Sequence, residues 1–206
     1  MVTLVLAHYL PVINSYYNKM YDTNHSVADY FIYDYKQIWK CSPDESNERV
    51  HKFYQSYEFL NEVKPIAGAF ESIERLSTLY DLVVVTSRQL AIEEPTISWI
   101  GKHFPGMFSD IHFGNAYALT GVSRTKGEIC AEIGADILID DNPGYVRECA
   151  AAGMETVLFD LDCEYAWNKE IEDGEHCLIT RLSSWQQVEA KINEIARRRG
   201  LLVHLD

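Results

Sequence analysis

Two adjacent carboxylates close an apolar run in the middle of this chain. In DILIDDNPGY, residues 136–145, three aliphatic residues lead straight into Asp140 and Asp141. A buried strand ends in paired negative charges when something positive is held there. Such a pair suits Mg2+, which prefers oxygen ligands and commonly takes one or two carboxylates together with a substrate phosphate. Two other stretches offer the complementary chemistry. VVVTSR ends in Thr86, Ser87 and the cation Arg88, and SRTKGE sets Lys126 in the first turn of a helix. Hydroxyls and backbone N–H groups bind phosphate oxygens, and lysine neutralises phosphate charge as a compact cation. The sequence thus offers Thr86, Ser87, Arg88 and Lys126 for a phosphorylated substrate, and Asp140 and Asp141 for a metal.

Each residue alone has a plainer explanation. Thr86 and Ser87 suit the cap of the next turn, Lys126 suits a solvated helix surface, and the acidic pair suits a helix N-terminus, with Asp141 or Asn142 as the cap. Their order, each at a strand end or helix start, is what argues for a common site.

The elements that must position these residues follow from periodicity. From Pro65 onward helix and strand alternate. GAFESIERLSTLY has helical spacing through Phe70, Ile73, Leu76 and Leu79, and DLVVVTSR reads as a strand buried on both faces. EEPTISWIGKHF reads as a helix with Pro95 in its first turn, and DIHFGN as a strand. RTKGEICAEIG, a helix ending at Gly134, leads into the strand DILIDD. NPGYVRECAAAG, a helix ending at Gly153, leads into the strand ETVLFD, and a last helix follows Ser183 or Ser184. This alternation predicts an α/β fold, a parallel sheet with helices on both faces and ligands at the carboxyl ends of the strands. Residues 10–60 differ. They are rich in Tyr, Phe and Trp, with helical spacing at Leu10, Ile13, Tyr17 and Met20 and again at Val50, Phe53, Tyr54 and Tyr57. They are expected to form a small helical unit whose rings serve chiefly as its core.

Composition bounds the function. The formal net charge is −13 at pH 7, which opposes binding to polymeric nucleic acid but not to a small phosphorylated ligand whose charge a metal offsets. The five cysteines are widely spaced and show no zinc-ligand pattern, which points to reduced thiols in a cytosol-like compartment. No apolar run has the length of a membrane span, and the apolar start lacks the features of a signal peptide. Oligomeric state leaves no mark.

The ordered set VVVTS, SRTKGE and LIDDN resembles motifs II, III and IV of the haloacid dehalogenase-like superfamily. With LPVINSYYNKMYDTNHSVADYFIYDYKQIWKCS and HFPGMFSDIHFGNAY, it is similar to the 5'(3')-deoxyribonucleotidase, C-type 5'-nucleotidase, branch. The resemblance implies a three-layer α/β/α core over residues 65–206, a helical cap over 10–64, and a motif I remnant over 1–9. It also implies Mg2+-dependent hydrolysis of a small phosphomonoester, such as a nucleotide, in the cytoplasm. Thr86 would hold the phosphoryl group, Lys126 would stabilise its charge, Asp140 would bind Mg2+ directly and Asp141 would support it. The family's motif I is a hydrophobic strand ending in D-x-D, the source of the nucleophile and the general acid/base. Here VLAHYLP matches only the tail of that segment, no residue of 1–4 is acidic, and the first acidic residue is Asp22. His8 matches no functional position and is expected at the surface or in cap packing. The expectation is therefore a truncated first core strand and an inactive 206-residue chain, either because a longer chain supplies D-x-D or because the protein is a non-catalytic binding module.

Overall fold

In a strand buried on both faces, successive side chains must satisfy two different layers, and the β-branched runs of this chain do so. The structure, a computed structural model, describes residues 4–116 and 121–200. Strand β1 (Val83–Thr86) pairs in parallel with β2 (Asp110–Phe113), and Thr86 lies opposite Phe113. Strands β3 (Ile137–Asp140), β4 (Glu155–Phe159) and β5 (Ile179–Leu182) form a second parallel set in that order. Asp140 lies opposite Leu158 and Phe159 opposite Leu182.

The period of two sorts the side chains into layers. Val84, Val157 and Phe159 share a core with helices α5 (Ala69–Ser77) and α9 (Trp185–Arg198). Val85 and Leu138 face the other way, against Ile129 and Cys130 of α7 (Lys126–Glu132) and Cys149 of α8 (Pro143–Ala151). Leu158 packs with Val146 of α8. The predicted α/β architecture with helices on both faces is therefore present. Helices α6 (Glu93–His103) and α9 also start where expected, with Ser184 as the α9 N-cap. Strand β5 had no sequence signal: each of its residues is only partly buried, and it carries the charge of Arg181, paired with Asp160 at 2.9 Å and Asp173 at 2.8 Å.

Between β1 and β3 the sheet is interrupted. The facing edges bound a cavity of about 500 Å3 lined by Val83 to Val85, Ile137 to Ile139 and apolar residues of α5 and α9. Among the described residues no strand pairs with either edge. Of the residues expected to form a partial first strand, 1–3 lie outside the described residues. Residues 4–6 are buried in a turn, held by Tyr165 Oη donating to the Leu4 carbonyl and Trp185 Nε1 to that of Val5, both at 2.8 Å.

The chain leaves and re-enters this sheet region through a neck. Ala7 bridges Pro65 in antiparallel fashion, with His8 N to Lys64 O and Ile66 N to Leu6 O, each 2.9 Å. The excursion between holds α1 (Tyr9–Tyr21), α2 (Tyr35–Ile38), α3 (Pro43–Tyr54) and α4 (Tyr57–Glu62). Helix α3 begins with a capping box between Ser42 and Glu45, followed by Pro43 at the first helical position. Phe53, fully buried, sets its ring edge-on to Tyr9 at 5.3 Å and to Phe59 at 5.7 Å, while Tyr17 and Tyr35 each stack on Trp39, at 4.2 and 4.7 Å. Most of the rings thus form the helical core, as expected. Met20 and Tyr57, assigned by spacing to the apolar faces, are exposed because α1 ends beside Met20 and Tyr57 starts a new helix. His8 is exposed, in keeping with the surface placement expected of it. Phe53→Ala should destabilise the fold by about 3–5 kcal/mol through lost burial and the cavity left behind, measured by urea unfolding. A cost below ~1 kcal/mol would mean that the ring cluster is not a packed core.

Candidate functional site

At the carboxyl end of β3 the structure brings Lys126 and Asp140 together, next to Asp141. Asp140 is the last residue of β3 and Lys126 the first of α7. Lys126 Nζ donates to Asp140 Oδ2 at 2.5 Å, and both side chains are wholly buried. The lysine is set by its neighbour: Thr125 caps α7 in a reciprocal box with Glu128 and also donates to Glu148 Oε1 at 2.6 Å. Lys126 is therefore not a solvated helix lysine. Its ammonium also lies 4.7 Å from the centroid of the Tyr145 ring.

The second carboxylate is differently placed. Asp141 is fully buried, and its backbone carbonyl accepts from Trp167 Nε1 at 2.9 Å. Among the described residues neither of its carboxylate oxygens has a hydrogen-bond partner. Burial, and then the neighbouring charge of Asp140, push its pKa well above the ordinary aspartate range. Helix capping does not explain the acidic pair, because Asn142 takes that role by accepting from Gly144 N at 2.9 Å. Asp140 is already engaged, since its other oxygen accepts from Asn142 N at 2.9 Å. The sequence reading gave Asp140 the direct metal contact, yet the free oxygens belong to Asp141. Two unpartnered, buried carboxylate oxygens beside a second carboxylate fit a hard divalent cation such as Mg2+. Among the described residues no group of three or more His, Cys, Asp or Glu is placed to hold a metal, so a cation here would take its other oxygens from substrate and water.

Thr86 ends β1 and is 1% exposed. Its hydroxyl accepts from Arg88 N at 3.3 Å, so it does cap the following turn, and its carbonyl accepts from Gly114 N at 2.6 Å. That turn brings Ser87 and Arg88 to the wall of a cleft of about 260 Å3, between the helical excursion and the sheet. Arg88 turns away from the carboxylates: its guanidinium carbon lies 4.7 Å from the Tyr54 ring centroid and 5.8 Å from that of Tyr9.

Sequence reasoning did not single out the other residues of this cleft. Gln89 Oε1 accepts from His51 Nε2 at 2.7 Å, a cross-link between α3 and the segment after β1. Trp167 comes from a 3-10 turn at Ala166–Glu170, stacks on Tyr165 at 4.6 Å and meets Tyr33 edge-on at 5.7 Å. Tyr33, although partly exposed, has its pKa pushed well up by burial and then by the charge of Asp141. The adjacent aromatics in FIYDY were the only available signal, and they read equally well as helix core.

Residues 2–199 match the family described as 5' nucleotidase, deoxy (pyrimidine), cytosolic type C protein. No protein of curated function matches significantly. Among solved structures, a haloacid dehalogenase-like hydrolase from Streptococcus pneumoniae superposes with a TM-score of 0.67 at 12% identity, over 93% of this chain and 95% of that one. A candidate phosphoglycolate phosphatase from Lactobacillus delbrueckii subsp. bulgaricus gives 0.63 at 12% identity, over 91% and 93%. At such identities the likeness establishes the fold.

Because folding holds a proton on Asp141 that the unfolded chain releases, this group's stabilising contribution is complete below the ordinary aspartate pKa. It is lost as pH rises toward the elevated folded value. In chelator-treated protein, Asp141→Asn should flatten that decline and be more stable than wild type by about 1 kcal/mol at pH 8. Mg2+ at 100 times its Kd should stabilise wild type by about 2.7 kcal/mol and leave Asp141→Asn unmoved. Thermal melts with and without Mg2+ measure all three, and equal Mg2+ responses would remove Asp141 from the metal site.

Proposed function

The chain belongs to the 5' nucleotidase, deoxy (pyrimidine), cytosolic type C family, and from that membership and the geometry of the cleft we propose that it is the scaffold of a Mg2+-dependent phosphomonoester hydrolase acting on nucleotides. The observation that carries this reading is the buried Lys126–Asp140 pair beside the free oxygens of Asp141, at the strand ends beneath an aromatic cleft. Asp141, with Asp140 at its side, would hold Mg2+, which supplies charge neutralisation at the phosphate. Thr86 holds a phosphoryl oxygen through its hydroxyl, and the backbone turn after β1 presents Ser87 to the same group. Lys126, hydrogen-bonded to Asp140, offsets charge developing on the phosphoryl oxygens. Helices α1 to α4, read as a cap over residues 10–64, exclude water from the leaving-group side.

The remaining requirement is a nucleophile. No acidic residue precedes Asp22, and the cavity between β1 and β3 is lined mostly by apolar residues and by two strand edges that no strand pairs with among the described residues. We read that cavity as the place of a hydrophobic strand ending in D-x-D, supplied by a longer chain. Its first carboxylate would attack phosphorus and form an acyl phosphate, and the second would protonate the leaving alcohol. The second reading, a non-catalytic module that binds phosphorylated ligands, is favoured by the same missing carboxylate. The family name and the absence of any membrane-crossing helix among the described residues support a cytoplasmic setting.

The 206-residue chain should show no phosphatase activity. A chain extended upstream by a hydrophobic strand ending in D-x-D should hydrolyse nucleoside monophosphates with Mg2+. In that active form Asp140→Asn should lower kcat at least ~100-fold, about 2.7 kcal/mol, in steady-state assays. An extended chain inactive across a broad phosphomonoester panel would reject the enzyme reading and leave the binding one.

A further inference from the structure

Arg88 is a cation in an aromatic box. Its side chain is 92% buried by complement of an 8% exposure, and among the described residues no carboxylate pairs with it, although fifteen such pairs exist elsewhere. Among the described residues only one of its guanidinium nitrogens donates: Nη1, to Thr96 Oγ1 at 2.9 Å. Thr96 is itself fixed, donating to Ile92 O at 2.7 Å. Nε is buried with no acceptor. Tyr54, Tyr9 and Phe59 surround the group with centroids at 4.7, 5.8 and 5.9 Å. These rings attract the cation through their faces but offer its N–H groups no in-plane acceptor. A buried guanidinium with idle donors is costly unless a ligand satisfies them, and this one lines the cleft.

We propose that Arg88 is the specificity-determining residue for the leaving-group end of the substrate, donating its idle N–H groups to a carbonyl oxygen on a planar nucleobase. The inference rests on the nucleotidase reading and assigns Arg88 to the base rather than to the phosphate, the role its place beside Thr86 suggested. Three observations separate it from phosphate. Its backbone N–H, not its side chain, turns back to Thr86. Its guanidinium reaches α1, α3 and α4 instead of the carboxylate floor. The floor already has a cation, Lys126, at 2.5 Å from Asp140. A planar ring fits the remaining wall, where Tyr35 and Trp167 border the same cleft. The guanidinium donates in its own plane to a carbonyl oxygen such as that of a 2-oxo- or 2,4-dioxopyrimidine.

Calorimetric titration of the 206-residue chain in Mg2+ tests this without turnover, using UMP, inorganic phosphate and 3-phosphoglycerate as probes, on wild type, Arg88→Met and Arg88→Lys. UMP affinity should fall at least tenfold in Arg88→Met and less in Arg88→Lys, while phosphate affinity stays within twofold. Without ligand, the melting temperature of Arg88→Met should equal or exceed that of wild type, because an unpaired buried charge has been removed. A parallel loss of UMP and phosphate affinity would put Arg88 on the phosphate and overturn the proposal, as would unchanged UMP affinity. Tighter, Arg88-dependent binding of 3-phosphoglycerate than of UMP would replace the base carbonyl with a carboxylate. Should Arg88→Met melt well below wild type, Arg88→Lys alone decides, since it keeps the charge and loses the fork. Wild-type binding of phosphate but not UMP sinks this inference and leaves the phosphatase reading standing, whereas binding of neither sinks both.

Discussion

A lysine and an aspartate buried together are a constraint that the surrounding structure has to satisfy. The pair Lys126–Asp140, 2.5 Å apart and fully buried, sits where a helix start meets a strand end, and neither element can shift without leaving a charge unpaired. Breaking such a pair is far more harmful than never having built it. Its persistence in an apolar setting is therefore better understood through what it positions than through what it adds to stability. It occupies one carboxylate of the pair with a fixed cation and leaves the next carboxylate, Asp141, with unpartnered oxygens. The capping of α7 by Thr125 and of α8 by Asn142 serves the same arrangement, since each cap relieves a charged neighbour of the work of satisfying helix N–H groups.

The helical excursion depends on a different physics. Its neck is two short backbone crossings at Ala7 and Pro65, and its interior is aromatic packing. Rings such as Tyr54 have two duties: packed on Phe59 at 4.6 Å, Tyr54 also carries Arg88 on its face. The excursion therefore shapes the cleft with the same atoms that hold it together. The His51–Gln89 contact ties it to the segment that follows Thr86.

Much of this was readable in the chain. Residues Thr86, Asp140 and Asp141 stand out in the sequence because strand ends are marked by a change from β-branched to polar residues, and that change is local; Lys126 stands out at a helix start. The division of labour between Asp140 and Asp141 was not readable, because it depends on which carboxylate meets a lysine from a helix 14 residues earlier. Strand β5 escaped for a related reason: Arg181 inside it looks like solvent-facing charge until Asp160 and Asp173 are brought to it. The aromatic run was legible as helix but not as cleft, since helical spacing gives a ring its face and not the element it will meet.

The cavity between β1 and β3 joins the two halves of the argument. Parallel strands buried on both faces draw stability from partners on both edges, and here each of these two has one edge against apolar space. Neither β1 nor β3 pairs on its inner edge with a described strand, and the carboxylate oxygens of Asp141, the residue that follows β3, have no hydrogen-bond partner among the described residues. An open edge and an unsatisfied carboxylate at the end of the same strand are separate deficits, and a packing fault would account only for the first.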